Sequence, residues 1–350
     1  MSGSYGTGEY ARSLAIARAA QRRWPEGAIH FALSRQAPYA AGAPFDKTML
    51  DSSPTFHSTA VIDLLDRLRP DVVIFDNAGR TAQLRAARRL GARIVYISSR
   101  ARQRRKAFRR SWMRLMDEHW IAYPEFVAGP LRLYEKLKLK MLGRPVVRYL
   151  DLVLSRADPG QAGAILSQTG CAAGSFVLVV PGGGTGHPGA GDASARFMAA
   201  ARMLAARGVA TVYVGPGEAG SIDAIEPNWH QFGPLAQPDL AELMRAARLI
   251  VVNGGSTLLQ AIACGAACVA IPIAKDQVKR ARRCVEAGVA VAAALDPASI
   301  VRAAEQLLQD EPRRAALAAR AANLGLTDGI EVAMRALSEL IAPQPRAARP

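Results

Sequence analysis

The chain has 350 residues, half of them apolar, and a formal net charge of +16 at neutral pH. A chain of this length can bury the cores of two domains. It has no apolar run of the roughly 18 residues that a membrane span needs, and no signal-peptide pattern at its start. Its four cysteines lack zinc-site or disulfide spacing and read as small buried hydrophobes. We therefore expect a cytoplasmic protein of two domains.

The positive charge is concentrated in the first half of the chain. Residues 1–150 contain 27 Lys and Arg against 12 Asp and Glu, whereas residues 151–350 contain 18 against 17. The net charges are therefore +15 and +1. A basic half predicts an anionic partner, either a phosphate-rich membrane surface or a nucleic acid.

The first residues, SGSYGTG, form a glycine-rich turn that contains Gly6 and Gly8 and leads into a predicted helix over 9–23. Such a turn ordinarily follows a buried strand, yet only two residues precede it. Either the start is assigned too late and a first strand is missing, or the fold tolerates its absence. We favour the first explanation.

Strands and helices then alternate. The patterns predict strands at about 28–33, 71–76, 93–98 and 119–122, helices at 57–68, 80–90 and 132–142, and a polar loop over 34–54. This serial order predicts a doubly wound parallel sheet. Asp76 ends a buried strand at the carboxyl edge, where open sheets bind their ligands.

Residues 100–120 combine basic and aromatic side chains. Eight Lys or Arg lie between Arg100 and Arg114, and Phe108, Trp112 and Trp120 recur at helical spacing. Such a helix suits the surface of an anionic membrane, whereas an aromatic stripe packed on its own domain is the other interpretation. Nucleic acid is disfavoured because no aromatic-rich sheet motif or Gly-Xaa-Xaa-Gly clamp accompanies the charge.

The second half opens after a predicted linker over 155–174. An apolar strand at 176–180 precedes a glycine-rich loop and a helix over 193–207. The loop offers backbone N–H groups and a histidine to a phosphate, although a plain flexible loop is the alternative. Its candidate ligand-binding residues are Gly182, Gly183, Gly184, Thr185 and His187.

A βαβα unit follows over residues 249–291. A buried strand ends at Asn253, and Gly254 and Gly255 lead into a helix that begins at Ser256 and Thr257. Glycines let a ligand approach the backbone, and free N–H groups at a helix start can hold a phosphate. A second strand at 268–273 precedes a polar loop that holds Asp276 and Gln277.

The string GGSTLLQAIACG, followed at short range by a proline and the Asp-Gln pair, resembles the donor half of GT-B glycosyltransferases. The nearest relatives by resemblance are the lipid-linked UDP-N-acetylglucosamine transferase of peptidoglycan synthesis and related nucleotide-sugar hydrolases. The resemblance implies two Rossmann-like, doubly wound α/β domains that face a central cleft. It also implies that a final helix packs back on the first domain.

The resemblance also implies roles for residues of the second half. The turn of Gly254, Gly255, Ser256 and Thr257 contacts the donor diphosphate, and the 182–187 loop faces it. Asp276 and Gln277 read sugar hydroxyls. In the family, a carboxylate one helical turn beyond the Gly-Gly-Ser/Thr turn holds the ribose. Gln260 occupies that position here, and its amide can still form a hydrogen bond with a hydroxyl.

In the first half, GTGEYARSLAIA resembles the family pattern GxGHxxRxLxLA. Arg12 matches the arginine on the acceptor and phosphate side, with Gly6 and Gly8 in the turn. Glu9 stands where the family has a histidine, which makes it the candidate catalytic base, and Asp76 is the reserve candidate. The alternative for Glu9 is that it only complements the helix dipole.

The leading hypothesis is an inverting, metal-independent glycosyltransferase that uses a UDP-sugar, of UDP-N-acetylglucosamine type, and a lipid-linked or cell-envelope acceptor. No acidic DxD pair is present to bridge a metal and the phosphates, so we expect no cofactor. One alternative is a nucleotide-sugar hydrolase that activates water. The other is a non-catalytic nucleotide-sugar, membrane or RNA-binding protein.

These inferences fix the expected organisation. We predict an acceptor domain over 1–154, a nucleotide-sugar domain over 175–330, and a final helix with a disordered tail over 331–350. The expected partners are a UDP-sugar, a lipid-linked or envelope glycan, and an anionic membrane surface that contacts residues 100–120. We expect a cytoplasmic protein that associates peripherally with the inner face of the cell membrane.

Overall fold

The computed structural model describes residues 7–37, 40–153, 164–182, 193–216 and 228–342. The chain divides into two compact units. The first unit comprises residues 1–153 and 327–350, and the second comprises residues 154–326. None of the helices in the described ranges is long and apolar enough to cross a membrane.

The first unit contains six strands, eight α-helices and a 3-10 turn among its described residues. In chain order they are α1 (Thr7–Arg23), β1 (His30–Ser34), β2 (Asp46–Leu50), the 3-10 turn (Pro54–Phe56), α2 (Ser58–Leu68), β3 (Val72–Asp76), α3 (Thr81–Arg89), β4 (Arg93–Ser98), α4 (Ala101–Ala107), α5 (Arg110–Met113), β5 (Glu118–Ile121), α6 (Glu125–Ala128), α7 (Leu133–Leu142), β6 (Val146–Tyr149) and, at the end of the chain, a helix over Gly329–Ile341.

Two parallel sheets form the centre of this unit. One has the strand order β3-β4-β5-β6, and the other is the pair β1-β2. β4 is buried on both faces, which explains its continuous apolar sequence. One face packs Tyr96 and Ile94 against α3 and Trp112, and the other packs Val95 and Ile97 towards α1.

The second unit also alternates strands and helices. In chain order they are α8 (Ala164–Gln168), β7 (Val177–Val180), α9 (Ala193–Ala206), β8 (Thr211–Val214), β9 (Trp229–Phe232), α10 (Gln237–Ala246), β10 (Leu249–Asn253), α11 (Ser256–Ala263), β11 (Cys268–Ile271), α12 (Lys275–Glu286), β12 (Val291–Ala292), α13 (Pro297–Gln309) and α14 (Glu311–Asn323). The last helix, α15 (Gly329–Ile341), belongs to the first unit.

The six strands of the second unit form one parallel sheet in the order β12-β11-β10-β7-β8-β9. This is the doubly wound order, in which β7 and β10 are neighbours although their crossovers run in opposite directions along the sheet. The carboxyl ends of these two strands therefore mark the switch point, where such sheets bind ligands.

α15 packs against α1, as the resemblance implies. Alanines on both helices, among them Ala15, Ala19 and Ala333, are buried at this contact. Small side chains let the helix backbones approach closely, and Leu337 then reaches the core beside Ile16.

Two of the strands that lie outside the predicted ones are β2 and β9. The expected loop over 34–54 holds β2, which pairs in parallel with β1 from His30–Asp46 to Ser34–Leu50. The residues before Pro234 hold β9, which pairs with β8. Both strands are short, and β2 reads DKTML with one fully buried residue, so periodicity alone misses it.

The predicted amphipathic helix over 100–120 is wrong. The segment forms two short helices, α4 and α5, and then strand β5. Phe108, Trp112 and Met116 are buried in the core, and Trp120 lies on β5 within a second cluster. The helical spacing of the aromatics is therefore a core pattern, and these side chains are unavailable to a membrane.

Candidate functional site

A cluster of charged side chains lies at the carboxyl end of β3. Asp76, the last residue of β3, is almost fully buried. Arg12 of α1 binds it with two hydrogen bonds: Nη2 donates to Oδ1 at 2.5 Å and Nε donates to Oδ2 at 3.1 Å. The Ser13 hydroxyl also donates to Oδ2, at 3.0 Å. This ion pair joins the start of α1 to the sheet.

Glu9 lies one helical turn before Arg12 and joins the same cluster. Its Oε1 accepts a hydrogen bond from Asn77 Nδ2 at 2.9 Å, and Arg100 Nη2 lies 3.6 Å away. Asn77 is oriented by Ser99, whose backbone N–H donates to Oδ1 at 2.8 Å. Asn77 adopts φ +54°, so the chain turns sharply where β3 ends and presents this amide to Glu9.

The environment changes the acidity of Glu9. Burial raises the pKa of its carboxyl above the ordinary value of 4.5, and the nearby charge of Asp76 raises it further, while Arg100 and Arg12 offset part of this effect. Its side chain remains 13 % exposed. Glu9 is therefore a carboxylate that a reacting group can reach, with a basicity moved towards neutral pH.

The structure separates the two candidate bases. Both oxygens of Asp76 already accept hydrogen bonds from Arg12 or Ser13, and its side chain is 1 % exposed. Asp76 is thus suited to holding α1 in place, whereas Glu9 is suited to accepting a proton.

Of the two glycines predicted beside these residues, Gly8 lies in the first turn of α1, and Gly6 lies outside the described residues.

A second cluster lies at the carboxyl ends of β7 and β10 in the second unit. Asn253, the last residue of β10, donates from Nδ2 to the Pro181 carbonyl at 2.7 Å and accepts from the Gly255 N–H through Oδ1 at 2.9 Å. A Cβ on Gly182 would lie 1.9 Å from Asn253 Nδ2, and Gly182 has φ +93°. This single buried amide therefore ties the start of the 182–187 loop to the 254–257 turn.

Gly254 occupies the tightest point of that turn. Its N–H donates to the Ile271 carbonyl at 3.0 Å, and its own carbonyl accepts from Arg280 Nη1 at 2.8 Å. A Cβ here would lie 3.1 Å from the Cβ of Gln277 and 3.3 Å from the Cα of Pro272. A larger residue would force β10 and α12 apart.

Among the described residues, no side chain caps the N-terminus of α11, and we call this N-terminus open. Gly255 is the N-cap and provides no side-chain hydrogen bond to the first turn. Ser256 is exposed, and Thr257 and Gln260 are half-buried. The first N–H groups of α11, together with two hydroxyls, thus form a place that can bind an anion such as a diphosphate.

Asp276 and Gln277 lie in the first turn of α12, not in a loop as predicted. Asp276 is exposed, with its Oδ2 3.6 Å from Arg280 Nη2. Gln277 is buried, and its Oε1 accepts the Ile273 N–H at 3.0 Å. Asp suits a loop and the first turn of a helix equally well, so its presence after Pro272 does not distinguish the two, which explains the error.

The remaining predicted donor residues are Gly183, Gly184, Thr185 and His187, and they lie outside the described residues. Within the described ranges, no group of three or more His, Cys, Asp or Glu is arranged to hold a metal ion.

The sequence does not single out Asn77, Asn253 or Arg280 as site residues. The two asparagines share a signal: Asn77 directly follows Asp76, the last residue of β3, and Asn253 is the last residue of β10. Arg280 lies within a basic run of α12, and nothing in that run distinguishes it from its exposed neighbours.

One known family matches part of the chain. Residues 185–310 match the family described as glycosyl transferases group 1, a segment that includes the open turn and α12. No curated protein matches the chain.

Solved structures match nearly the whole chain. UGT2 of Phytolacca americana, complexed with UDP-2-fluoroglucose and pterostilbene, has a TM-score of 0.67 at 14 % identity, covering 96 % of this chain and 98 % of that one. The spinosyn forosaminyltransferase SpnP gives 0.64 at 15 %, with 95 % and 96 % covered. A UDP-N-acetylglucosamine 2-epimerase gives 0.59 at 16 %, with 97 % of each chain covered.

These matches confirm the predicted fold class. The chain has two α/β units with parallel sheets, the fold of these GT-B structures, and residues 185–310 match the glycosyl transferases group 1 family.

Proposed function

We propose that this GT-B chain is an inverting, metal-independent glycosyltransferase that moves a sugar from a UDP-sugar, of UDP-N-acetylglucosamine type, to a lipid-linked or cell-envelope acceptor. The observation that carries the proposal is the open N-terminus of α11, held at the switch point by Asn253 and lying within the segment that matches a glycosyltransferase family.

The donor end of the reaction needs charge stabilisation on a departing diphosphate. Backbone N–H groups at the start of α11 supply it without reorganisation, because Asn253 and Arg280 already fix the turn. Ser256 and Thr257 add hydroxyl donors. Asp276, exposed in the first turn of α12, is the group proposed to bind sugar hydroxyls. The Oε1 atom of Gln277 already accepts the Ile273 N–H, so the NH₂ group of Gln277 is the part proposed to contact the sugar.

The acceptor end needs a base for the attacking hydroxyl. Glu9 fills this role, because burial raises its pKa while Asn77 fixes one of its oxygens. Arg12 and Asp76 hold the helix that carries Glu9. A carboxylate here takes the proton that the family's histidine is implied to take.

Donor binding is tested by calorimetry. Ser256→Ala with Thr257→Ala should weaken UDP binding by roughly 1–3 kcal/mol, the scale of lost hydrogen bonds to a charged group. Ser299→Ala is the control, because Ser299 lies on α13 and contributes only its backbone N–H to the Asp296 cap. Unchanged UDP affinity in the double variant would remove the α11 turn as the phosphate site.

Donor identity, metal independence and stereochemistry are measured separately. A thermal-shift titration with UDP, GDP and several UDP-sugars should show the largest rise with uridine compounds. Turnover should survive EDTA, and NMR of the product should show an inverted anomeric centre. Loss of turnover on chelation would overturn the metal-independent mechanism.

The acceptor is proposed from charge. The first 150 residues carry a net charge of +15, which suits a phosphate-bearing or membrane-resident acceptor. UDP release from a cognate donor should therefore be slow in water and rise sharply when a membrane or lipid fraction is added. Release that ignores the added fraction would contradict a lipid-linked acceptor.

A second candidate function follows from the likeness to a UDP-N-acetylglucosamine 2-epimerase as well as to glycosyltransferases. Such a fold can act on a nucleotide sugar without a second sugar or lipid, as the predicted hydrolase would. Rapid acceptor-independent turnover of UDP-N-acetylglucosamine, with free or epimerised sugar as the product, would place this function first.

A further inference from the structure

The helix α7 buries a charged side chain and exposes an apolar strip. The face turned towards the core of the first unit carries Glu135, which is buried, and Lys138, whose Nζ donates to the Phe108 carbonyl at 3.0 Å, beside the half-buried Leu139 and Leu142. The opposite face exposes Leu133, Leu137 and Met141, which are 85 %, 57 % and 59 % accessible. An ordinary surface helix does the reverse, since its apolar stripe faces the core.

A buried ion pair fixes this orientation of α7. Arg104 donates from Nη2 to Glu135 Oε2 at 2.7 Å and from Nε to Oε1 at 3.2 Å, and both side chains are almost fully buried. Arg104 also donates to the carbonyls of residues 128, 129 and 130. Rotating the helix to bury its leucines would separate this pair, and a buried charge without its partner is strongly unfavourable.

The exposed apolar residues form one continuous strip. Leu133, Leu137 and Met141 are spaced by four residues, so they lie along one side of α7. Tyr134 of the same helix and Val146, a few residues beyond its end, are also exposed. Five of the ten large exposed apolar side chains among the described residues thus fall between positions 133 and 146, which is a concentrated patch rather than scattered surface.

Basic residues border the strip. Arg132, Lys136 and Lys140 each immediately precede one of its three central residues, and all three are exposed. Residues 130–148 contain six Lys or Arg and a single acid, Glu135, which is buried on Arg104. Long aliphatic stems let such side chains lie beside an apolar layer while their charges stay in water.

The charge continues beyond the end of α7. Arg144 Nη2 lies 2.8 Å from Asp117 Oδ1, and Arg88 and Arg93 pair with the same carboxylate at 3.1 and 3.7 Å. Three guanidinium groups share the Asp117 carboxylate, and Arg148 pairs with Glu339, the other acid that lines the cavity beside Val146, so this region keeps a net positive charge.

We propose that α7 is a membrane-docking surface, with Leu133, Leu137 and Met141 inserted into the interface of an anionic lipid bilayer and Arg132, Lys136 and Lys140 placed at its headgroups. An apolar strip combined with charges of a single sign suits a surface that is apolar inside and negative outside. The inference goes beyond the proposed function, because docking requires neither donor nor acceptor.

Co-sedimentation of the full chain with vesicles tests the proposal. The protein should bind vesicles that mix phosphatidylcholine with phosphatidylglycerol, should bind phosphatidylcholine alone far more weakly, and should be released as salt rises. Leu133→Gln with Leu137→Gln and Met141→Gln should lower binding at least tenfold. These side chains are exposed, so thermal unfolding should be unchanged or occur at a higher temperature.

A matched pair of charge variants distinguishes vesicle binding through α7 from binding through the general positive charge of the chain. Arg132→Gln with Lys136→Gln and Lys140→Gln should lower vesicle binding by roughly fivefold per charge. Arg102→Gln with Arg105→Gln and Arg109→Gln removes the same charge from exposed positions of the 100–114 segment and should lower it less than threefold. Equal losses in the two variants would overturn the assignment to α7.

Light scattering decides whether another copy of the chain covers the strip. A monomer that binds anionic vesicles supports the proposal. A dimer that the Leu/Met→Gln variant converts to a monomer, with no vesicle binding by the original chain, would overturn it in favour of self-association. Absence of vesicle binding by the original chain would overturn it in every case, and would leave the UDP calorimetry of the proposed function unaffected.

Discussion

One candidate site consists mainly of side-chain groups, and the other consists mainly of backbone groups. At the end of β3, Glu9, Arg12 and Asp76 form a cluster in which charged side chains contact one another. At the ends of β7 and β10, the backbone of Gly254 and Gly255 forms the surface and a single amide, Asn253, supports it. The first site can move a proton, and the second can bind an anion.

This difference predicts how each site responds to substitution. A side-chain site loses its chemistry when one group is replaced, whereas a backbone site tolerates the loss of a hydroxyl but not a change in the path of the chain. The following predictions test that contrast, in order of decreasing effect.

The largest effect is expected for Glu9→Gln. Gln keeps the acceptor oxygen for Asn77 but cannot take a proton, so turnover should fall roughly 10²–10⁴-fold while UDP affinity is unchanged. Steady-state kinetics and calorimetry measure the two quantities. Glu26→Gln, which changes an exposed acid after the same helix, is the control. Retention of full turnover would show that Glu9 only complements the helix dipole.

Arg12→Met should destabilise the first unit by about 3–5 kcal/mol, because it leaves the buried carboxylate of Asp76 without its cation. Urea unfolding measures this loss. Adding Asp76→Asn should recover part of it, since a neutral amide has a smaller desolvation cost. If the double variant is no more stable than Arg12→Met alone, the ion pair is not what holds α1 to β3.

Gly182→Ala should weaken UDP binding by roughly 1–3 kcal/mol, because the new Cβ displaces the Asn253 amide from its two hydrogen bonds. Gly208→Ala is a matched control: it also has positive φ, but open space surrounds its Cβ position. Both variants carry backbone strain, so only the difference between them reports on Asn253. Equal UDP affinities would contradict a supporting role for this residue.

The smallest effect concerns pH. Burial raises the pKa of Glu9, so the folded state binds this proton more tightly than the unfolded state. That contribution to stability is complete below the unfolded value near 4.5 and is lost as pH rises through the folded pKa. Glu9→Gln should therefore raise Tm at about pH 8 and bring no gain at about pH 4.

The same shift sets the acid limb of the kcat/KM profile, which should lie above pH 4.5 in the original chain. An acid limb at or below that value, or a Glu9→Gln variant with unchanged Tm at high pH, would show that the carboxyl is not perturbed.

Much of the fold can be predicted from the sequence. The buried strands of the second unit, such as 249–253 and 268–271, are continuous apolar runs between glycine-marked turns, and their bounds agree closely with prediction. The helix start predicted at Ser256 is also correct. In contrast, β2 has too little apolar pattern to be recognised, because it lies beside a single partner strand.

The candidate site residues can be predicted only in part. The alternation of strands and turns places Asp76, Gly254 and Ser256 at strand ends without knowledge of the structure. The contact between Arg12 and Asp76 joins residues 64 positions apart, and that between Asn253 and Pro181 joins residues 72 apart. Local patterns contain no information about such pairs, since the sheet brings them together.

The two basic segments show most clearly what the sequence alone determined and what only the tertiary structure decided. Composition alone determined that the first half is basic, and that 100–120 and 132–142 each mix basic with large apolar side chains. Only the packed structure decided that Trp112 is buried and Leu137 exposed. The physical reason is the Arg104–Glu135 pair: it is satisfied only inside, so it turns the leucines of α7 towards solvent.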